Sequence, residues 1–600
     1  MRLDYKWRAA IVVALGLFMA VLDNTIVSVA LPQMQAYFRT DRETINWVAT
    51  GYFLAQAAII PITGYLSDRI GTKTVFLTAL ALFTVGSGLC AISPNEHLLI
   101  GFRVLQGIGG GALFPMAFAI IFRVFPPAER GPAGAVVGVP VLLAPAFGPT
   151  IGGYLTTTFD WHAIFTINLP VGVIAFVLAA ITLRGRAASS AESGEPAPDR
   201  GRFDVLGLLL AMAGFTLLVY GITEAGTYGW NDVVFQHFHL GGLTLDMSVL
   251  RYLIVGGVLL IGFVVDELLV SDPVMDLRLF LNYTFTATNV LTWVVSGFLF
   301  SSLFLLPIFF QTVQGHTPLE SGEYVIAQGL AAAVATIASG RLYNRVGPRI
   351  LATLGFALVT AGTFGFTQLT PTTSWQSLQI WMVLRGLGLG FTNIPLQTLM
   401  LSVVSNRLMA RASSLANVMR QVFGAIGLTV LTTVFVQQTT NYATSPSQTA
   451  GVKAATQAAV QRATQAAVTQ YTSGSPLDPT SPLGKLTAIC SAPFGKTAQA
   501  HVPQIQACVQ QMTGQYAQQY AQSYAAQHAA QIARQYAQQH VVPVATTQGL
   551  TAAFVISTIG CAVAIVLALF VGKDPNVVAL KRTAARGETA VQPRPALIGE

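Results

Sequence analysis

Residues 64–73 read GYLSDRIGTK, and residues 340–349 read GRLYNRVGPR. Both fit G-x-L-x-x-R-x-G-x-(K/R), and each follows a long apolar stretch. The correspondence continues downstream. QGIGGG starts at Gln106 and RGLGLG at Arg385, with Pro115 and Pro395 downstream. Two halves in the same orientation, each of six apolar segments, account for this spacing, with two further segments inserted between them. Repeated halves are a common build for secondary transporters.

The rest of the chain suits lipid. Hydrophobic residues make up 53% of it and charged residues 10%, against roughly 25% charged in a soluble protein. Fourteen spans are predicted, at about 9–32, 45–66, 74–92, 98–122, 132–155, 163–184, 203–224, 249–270, 283–311, 322–342, 349–369, 377–401, 412–436 and 549–572. Each is long enough for a hydrocarbon core of roughly 30 Å. The alternate loops that an even count makes cytoplasmic hold Arg69, Lys73, Arg123, Arg130, Arg184, Arg186, Arg200, Arg202, Arg278, Arg341, Arg345, Arg349, Arg407 and Arg411, while the short outer loops hold Arg39 and Arg42. This asymmetry puts both termini in the cytoplasm. It also accounts for the net charge of +8 without a nucleic-acid partner. Met1–Arg8 is short and basic and precedes too long an apolar run for a cleaved signal, so a retained first helix is expected.

Asp23 lies inside the first span, in VLDNTIVSVALP. A carboxylate at that depth costs roughly 2.5–3.5 kcal/mol on insertion scales. It is about fourteen residues from the inner end, or roughly 21 Å at 1.5 Å per residue, while Arg103 is roughly 8 Å in from the outer side of the fourth span. Both fall in the outer third of one half, and an interaction between them is predicted, either as a proton-coupling pair or as a permanent ion pair. Asp68, at the inner end of the second span, is expected to pair with a nearby cation such as Arg123. The corresponding position of the second copy is Asn344, so a charged latch there is expected to be weaker. Arg385 and Arg420 face either the cavity or a loop, and Glu224, Glu320, Glu323, Asp266 and Glu267 fall at helix ends and are expected to be solvated.

Gln437–Leu550 is a polar insert on the outer side. Its segments 452–470 and 496–541 are Ala- and Gln-rich, with good helix propensity, around a breaker SGSPLDPTSPLG. A helical hairpin is expected. Tyr516, Tyr520, Tyr524, His528, Ile532, Tyr536 and His540 recur every four residues and form one stripe, either packed on the other arm or free to dock a partner. Cys490 and Cys508 lie in the insert and can pair in an oxidising space, whereas Cys90 and Cys561 are core residues.

Five stretches in order carry a resemblance: VLDNTIVSVALP at 21–32, GYLSDRIGTK at 64–73, FRVLQGIGGG at 102–111, APAFGPTIGG at 144–153 and FDWHAIFTINLP at 159–170. Together they resemble the fourteen-helix drug:proton antiporters of the major facilitator superfamily, the EmrB/QacA-like group, over about 9–436 and 549–572. The resemblance implies an all-α polytopic membrane protein of that fold with 14 transmembrane helices (6+2+6) and an extracytoplasmic helical insert. It implies a cytoplasmic gate at Gly64, Asp68, Arg69, Gly71 and Arg123, and a seal against proton leak at Pro145, Gly148, Pro149, Gly152 and Gly153. It further implies a bacterial inner-membrane location and a periplasmic adaptor protein that engages 437–548. The chain departs from the group's usual Trp-Arg-Trp at His162 and Ala163.

The predicted organisation is an N-terminal six-helix bundle at 1–186, a cytoplasmic linker at 187–202 and two inserted helices at 203–270. A C-terminal six-helix bundle follows at 271–436 with 549–572, then the hairpin at 437–548 and a cytoplasmic tail at 573–600. No P-loop, HExxH or C-x-x-C occurs, so an enzyme, a cofactor and a metal site are all unexpected, and an ion gradient is the expected energy source. The function predicted is proton-coupled efflux of amphipathic toxic compounds through an apolar cavity that the Phe-rich run FLFSSLFLLPIFF helps to line. The alternatives are export of one endogenous or lipid-like metabolite, and a non-transporting receptor or assembly platform.

Overall fold

A computed structural model of the chain describes residues 4–185, 204–230, 233–240, 243–472, 482–493, 501–572, 574 and 578. The predicted linker at 187–202 and nearly all of the predicted tail at 573–600 lie outside the described residues, as does most of the breaker stretch.

The first half of the chain folds as α1 (Tyr5–Phe38), α2 (Arg42–Ile70), α3 (Thr72–Ala91), α4 (Glu96–Val124), α5 (Arg130–Thr158), the single turn α6 (Ala163–Thr166) and α7 (Asn168–Thr182). Next come α8 (Val205–Tyr228) and α9 (Val249–Leu269), then α10 (Tyr283–Ile308), α11 (Pro318–Val346), α12 (Pro348–Phe366), α13 (Trp375–Ser402) and α14 (Met409–Ala443). After the insert, α18 (Val542–Phe570) closes the sequence. Thirteen of the fourteen predicted spans each overlap one of these helices, and the span at 163–184 takes in both α6 and α7. Twelve helices are long and apolar enough to cross a membrane among the described residues, α10 and α13 not being in that set. Helices suit this composition because lipid offers no partner for backbone N–H and C=O groups. Polar side chains start them: Asn95 accepts from the Leu98 N–H at 2.9 Å, and Thr317 and Glu320 form a reciprocal capping box on α11.

The sequence repeat has a counterpart in backbone and packing. Gly71 joins α2 to α3 at φ 95°, and Gly347 joins α11 to α12 at φ 96°, conformations that a side chain disfavours. Gly107 of α4 backs onto Tyr52 of α2, and Gly386 of α13 backs onto Gln328 of α11. Gly86 of α3 abuts Gln106, and Gly362 of α12 abuts Arg385, so the two helix groups are built on one plan. Helices α8 and α9 pack on each other at Gly214 against Leu260 and Gly256 against Leu218.

One element is not helical. Between α8 and α9, β1 (Val234–Leu240) pairs antiparallel with β2 (Leu243–Ser248), in register from Gln236↔Met247 to Leu240↔Leu243, with a shift of register between Val234 and Gln236. This corrects the all-α expectation for the connecting loop. VFQHFHL and LTLDMS alternate around Gly241-Gly242, a two-residue hairpin signal too short to register in a search for membrane spans.

Val436–Gly549 forms a second compact unit. In it α15 (Pro446–Thr472) and α16 (Pro482–Ser491) each pack on α17 (Val502–Tyr536). A disulfide joins Cys490 to Cys508, with Cα atoms 5.8 Å apart. The aromatic stripe is a stacked column, Tyr524 on His528 at 4.4 Å and Tyr536 on His540 at 4.5 Å. Its Tyr536 end meets Gly451 of α15, while Tyr516 and Tyr520 stay about 40% exposed. Ile505, Thr513 and Ala517 make the buried face there instead.

Candidate functional site

Asp23 is removed from solvent and accepts three hydrogen bonds from side chains of two other helices. Its Oδ2 accepts from Arg103 Nη1 of α4 at 2.6 Å. Its Oδ1 accepts from Gln106 Nε2 of α4 and from Asn168 Nδ2 of α7, both at 3.0 Å. Arg103 is 1% exposed and also donates to Gln106 Oε1 at 2.8 Å and to the Val48 carbonyl at 3.0 Å. The Tyr52 ring lies 4.0 Å from its guanidinium carbon. Asn168 donates as well to Ser87 Oγ at 3.1 Å. A buried pair survives in this setting because Gln106, Asn168 and the Val48 carbonyl bond to further polar atoms of the two side chains. Pairing alone follows from the depth of the two residues. Gln106, Asn168, Ser87 and Tyr52 were missed as members, although Gln106 and Asn168 stand out as polar residues inside otherwise apolar motifs.

The inner ends of the two helix groups meet at a second cluster. Asp68 Oδ1 accepts from Arg123 Nη2 at 3.1 Å, and its Oδ2 accepts from Arg411 Nε of α14 at 2.9 Å. Arg411 also donates to Asp272 Oδ1 at 2.7 Å and to the Pro273 carbonyl at 2.7 Å, and Arg69 donates to Asp272 Oδ2 at 3.3 Å. Arg411 and Asp272 complete the clasp and come from far along the chain, which is why the motif at 64–73 does not reveal them. Gly64 makes the approach possible: a methyl there would lie 2.7 Å from the Ala410 carbonyl oxygen. At the repeat-related place, a methyl on Gly340 would lie 2.7 Å from the Gly131 carbonyl oxygen. Asn344 gives a neutral bond to the Ala128 carbonyl at 2.5 Å where Asp68 gives ion pairs.

Helix α5 is held between α1 and α11. Gly148 faces Thr25 and Gly152 faces Ile26 on α1, with no room for a side chain at Gly148. On the other side Pro149 meets Gly322 of α11, Ala146 meets Gly329, and Gly131 meets Gly340. Gly153 is buried in the same helix. Pro145 borders a space of about 30 Å³ with Gln328 and Leu389, room for about one water. A larger groove of about 450 Å³ lies along α3 and α7, lined by Lys73, Leu77, Val85 and Phe176. In the Phe-rich run, Phe298, Phe309 and Phe310 pack inward, and the side chains at 299–304 lie outside the described residues.

Three expectations need correction. Arg385 faces neither a loop nor a cavity: it is 1% exposed, donates to the Phe298 carbonyl at 2.8 Å and packs on Gly362. It occupies the place of Gln106 in the repeat, which points into its own helix group. Glu267 is buried, not solvated, and accepts from the Met275 N–H at 2.9 Å, because the chain after α9 folds back over it. The Oδ2 of Asp266 is likewise out of reach of solvent. Glu224 is half-buried, whereas Glu320 and Glu323 are exposed. His162 stacks on Trp161 at 3.7 Å between α5 and α6. Among the described residues no group of His, Cys, Asp and Glu is arranged to hold a metal ion.

A polytopic carrier, with repeated helix groups clasped at one end and a buried acid–arginine pair in one group, is the class these features define. The chain belongs to the Major Facilitator Superfamily, which it matches over residues 13–428. It is 37% identical over 435 residues to the Multidrug resistance protein B homolog of Mycobacterium tuberculosis (strain ATCC 25618 / H37Rv), covering 72% of this chain and 76% of that protein. It is 30% identical over 434 residues to the Multidrug export protein EmrB of Escherichia coli (strain K12), covering 71% and 80%. Its fold is similar to that of the human organic anion transporter MFSD10, with a TM-score of 0.52 at 14% identity, over 72% of this chain and 94% of that one. The protein is a multi-pass membrane transporter of small molecules, and not an enzyme.

Proposed function

We propose that this chain exports amphipathic or lipophilic toxic compounds in exchange for protons, alternating access between two six-helix halves with α8 and α9 as the inserted pair. The observation that carries the reading is Asp23, an acid away from any helix end, held by Arg103, Gln106 and Asn168 and shut off from water. A proton arriving at Asp23 removes its charge and loosens Arg103. That change is local, and it lies two residues from Thr25, which presses on Gly148 of α5. Helix α5 runs against α11, so a shift of α1 reaches the contact between the halves. The Asp68–Arg411 clasp holds the inner ends together and breaks when the carrier opens inward. One charge crossing 100 mV supplies about 2.3 kcal/mol, enough for useful concentration.

This reading places the chain in a bacterial inner membrane, with fourteen spans and both termini cytoplasmic. The names of the M. tuberculosis and E. coli relatives support drug export. The second unit, with Tyr516 and Tyr520 exposed on α17, is proposed to engage a periplasmic adaptor protein. Proteoliposomes carrying the purified chain, with an imposed pH gradient and a panel of lipophilic cations and weak acids, test the coupling. Uptake that ignores the gradient refutes it.

A further inference from the structure

Away from their ends, the described membrane helices carry one acid, Asp23, and three arginines, Arg103, Arg385 and Arg420. Asp23 neutralises Arg103. Among the described residues neither Arg385 nor Arg420 forms an ion pair with a carboxylate. The two differ in access. Arg385 is sealed inside its helix group, whereas Arg420 lies between the two groups and keeps partial exposure.

Its position follows from the order of contacts along α14. At the inner end Arg411 makes the clasp to Asp68. Ser413 then donates to the Pro115 carbonyl of α4 at 2.9 Å, and Ser414 to the Ile60 carbonyl of α2. These bonds close the inner side. Two turns above them the Arg420 guanidinium lies 3.9 Å over the Phe114 ring of α4, with one amino group donating to Asn417 Oδ1. Arg420 is eleven residues from Met409 and Phe114 ten from Val124, so both sit about 15–17 Å along their helices from the inner end. That is about the middle of a core roughly 30 Å thick. Arg420 is thus a charge at mid-membrane depth, between the halves and directly above the closed inner contact.

A cation in that setting lacks the counter-charge that a low-dielectric site demands. Phe114 covers one face of the guanidinium and leaves its edge, the part that matches a carboxylate, to make bonds. Phe114 and Phe118, with rings 5.6 Å apart, supply apolar surface next to it. A site for lipophilic cations would need an acid here, and the acid of this region is already engaged by Arg103. We propose that Arg420 recognises the anionic group of the transported molecule, and that the preferred substrates are amphipathic carboxylates. This deepens the transport reading above and rests on it.

The test is equilibrium binding to the full-length protein in nanodiscs, using an undecanoic acid that carries a dansyl group, its methyl ester, and ethidium. The acid should bind at least tenfold tighter than the ester. Arg420→Gln should erase that preference while leaving ester binding within twofold, and Arg420→Lys should keep most of it. Monodisperse elution and an unchanged unfolding midpoint check that the Gln variant is folded. Equal binding of acid and ester by the wild type, a preference that survives Arg420→Gln, or tighter binding of ethidium than of the acid each overturn the proposal. Binding needs no pH gradient, so it stands or falls apart from proton coupling. Gradient-driven movement of ethidium, unaffected by Arg420→Gln, would leave the export reading intact and remove this one.

Discussion

Arg103 Nη1 lies 2.6 Å from Asp23 Oδ2, and neither side chain reaches solvent. Eighty positions separate them in sequence. The pair is embedded in a cluster of six side chains, so changes on either side have separable consequences for stability and for coupling.

Removing one charge strands the other. Asp23→Leu leaves a buried guanidinium unpaired and should cost about 3–5 kcal/mol, while Asp23→Leu with Arg103→Leu should recover most of that. Unfolding midpoints in detergent measure both. A double variant no more stable than the single one would mean that the pair does not act as a unit.

Asp23→Asn keeps the size and much of the hydrogen bonding but cannot release a proton. It should lose at least 90% of pH-driven transport in proteoliposomes while retaining exchange of substrate for substrate. Undiminished gradient-driven transport would end the proton-coupling role.

The clasp is tested by exposure. Ser414 is buried beside it. Cysteine placed there should react slowly with a membrane-impermeant maleimide added from the cytoplasmic side, and several-fold faster in an Asp68→Asn or Arg411→Gln background. Unchanged labelling would leave Asp68 a turn-former and nothing more.

Helix α5 tolerates no bulk at two faces. Gly148→Ala would drive a methyl into Thr25, and Gly131→Ala would bring one to 2.7 Å from the Gly340 carbonyl oxygen. Overpacking of this kind costs about 1–3 kcal/mol. Gly148→Ala should also make the liposomes leak protons, as followed by a trapped pH dye. Stability and leak both at wild-type values would remove the seal.

Reducing the Cys490–Cys508 bridge should destabilise only the second unit. Closing a loop of this length is worth about 3 kcal/mol in the entropy model. Cys490→Ser with Cys508→Ser should speed proteolysis within 436–549 roughly a hundredfold and leave substrate exchange unchanged. Equal digestion rates would mean that the bridge adds no stability.

The sequence alone determined the membrane class and the repeat, and it set the expectation of fourteen spans and of their orientation. These depend on local properties: runs of apolar residues long enough for a bilayer, glycines where the chain turns at positive φ, and basic residues on alternate loops. It also marked Asp23, Arg103 and Asp68, since charge inside an apolar run is conspicuous without any structure. The pairing of Asp23 with Arg103 and of Asp68 with Arg123 was legible in the sequence, but only the tertiary structure decided their further partners. Asn168 and Gln106 joined Asp23, and Arg411 reached Asp68 from 343 positions away, because helix packing and not chain proximity brings them together. The same packing separated two arginines that look alike in sequence, sealing Arg385 behind Gly362 and leaving Arg420 over Phe114 between the halves. Depth in the membrane can be counted along one helix, but the direction in which a side chain points is fixed by its neighbours.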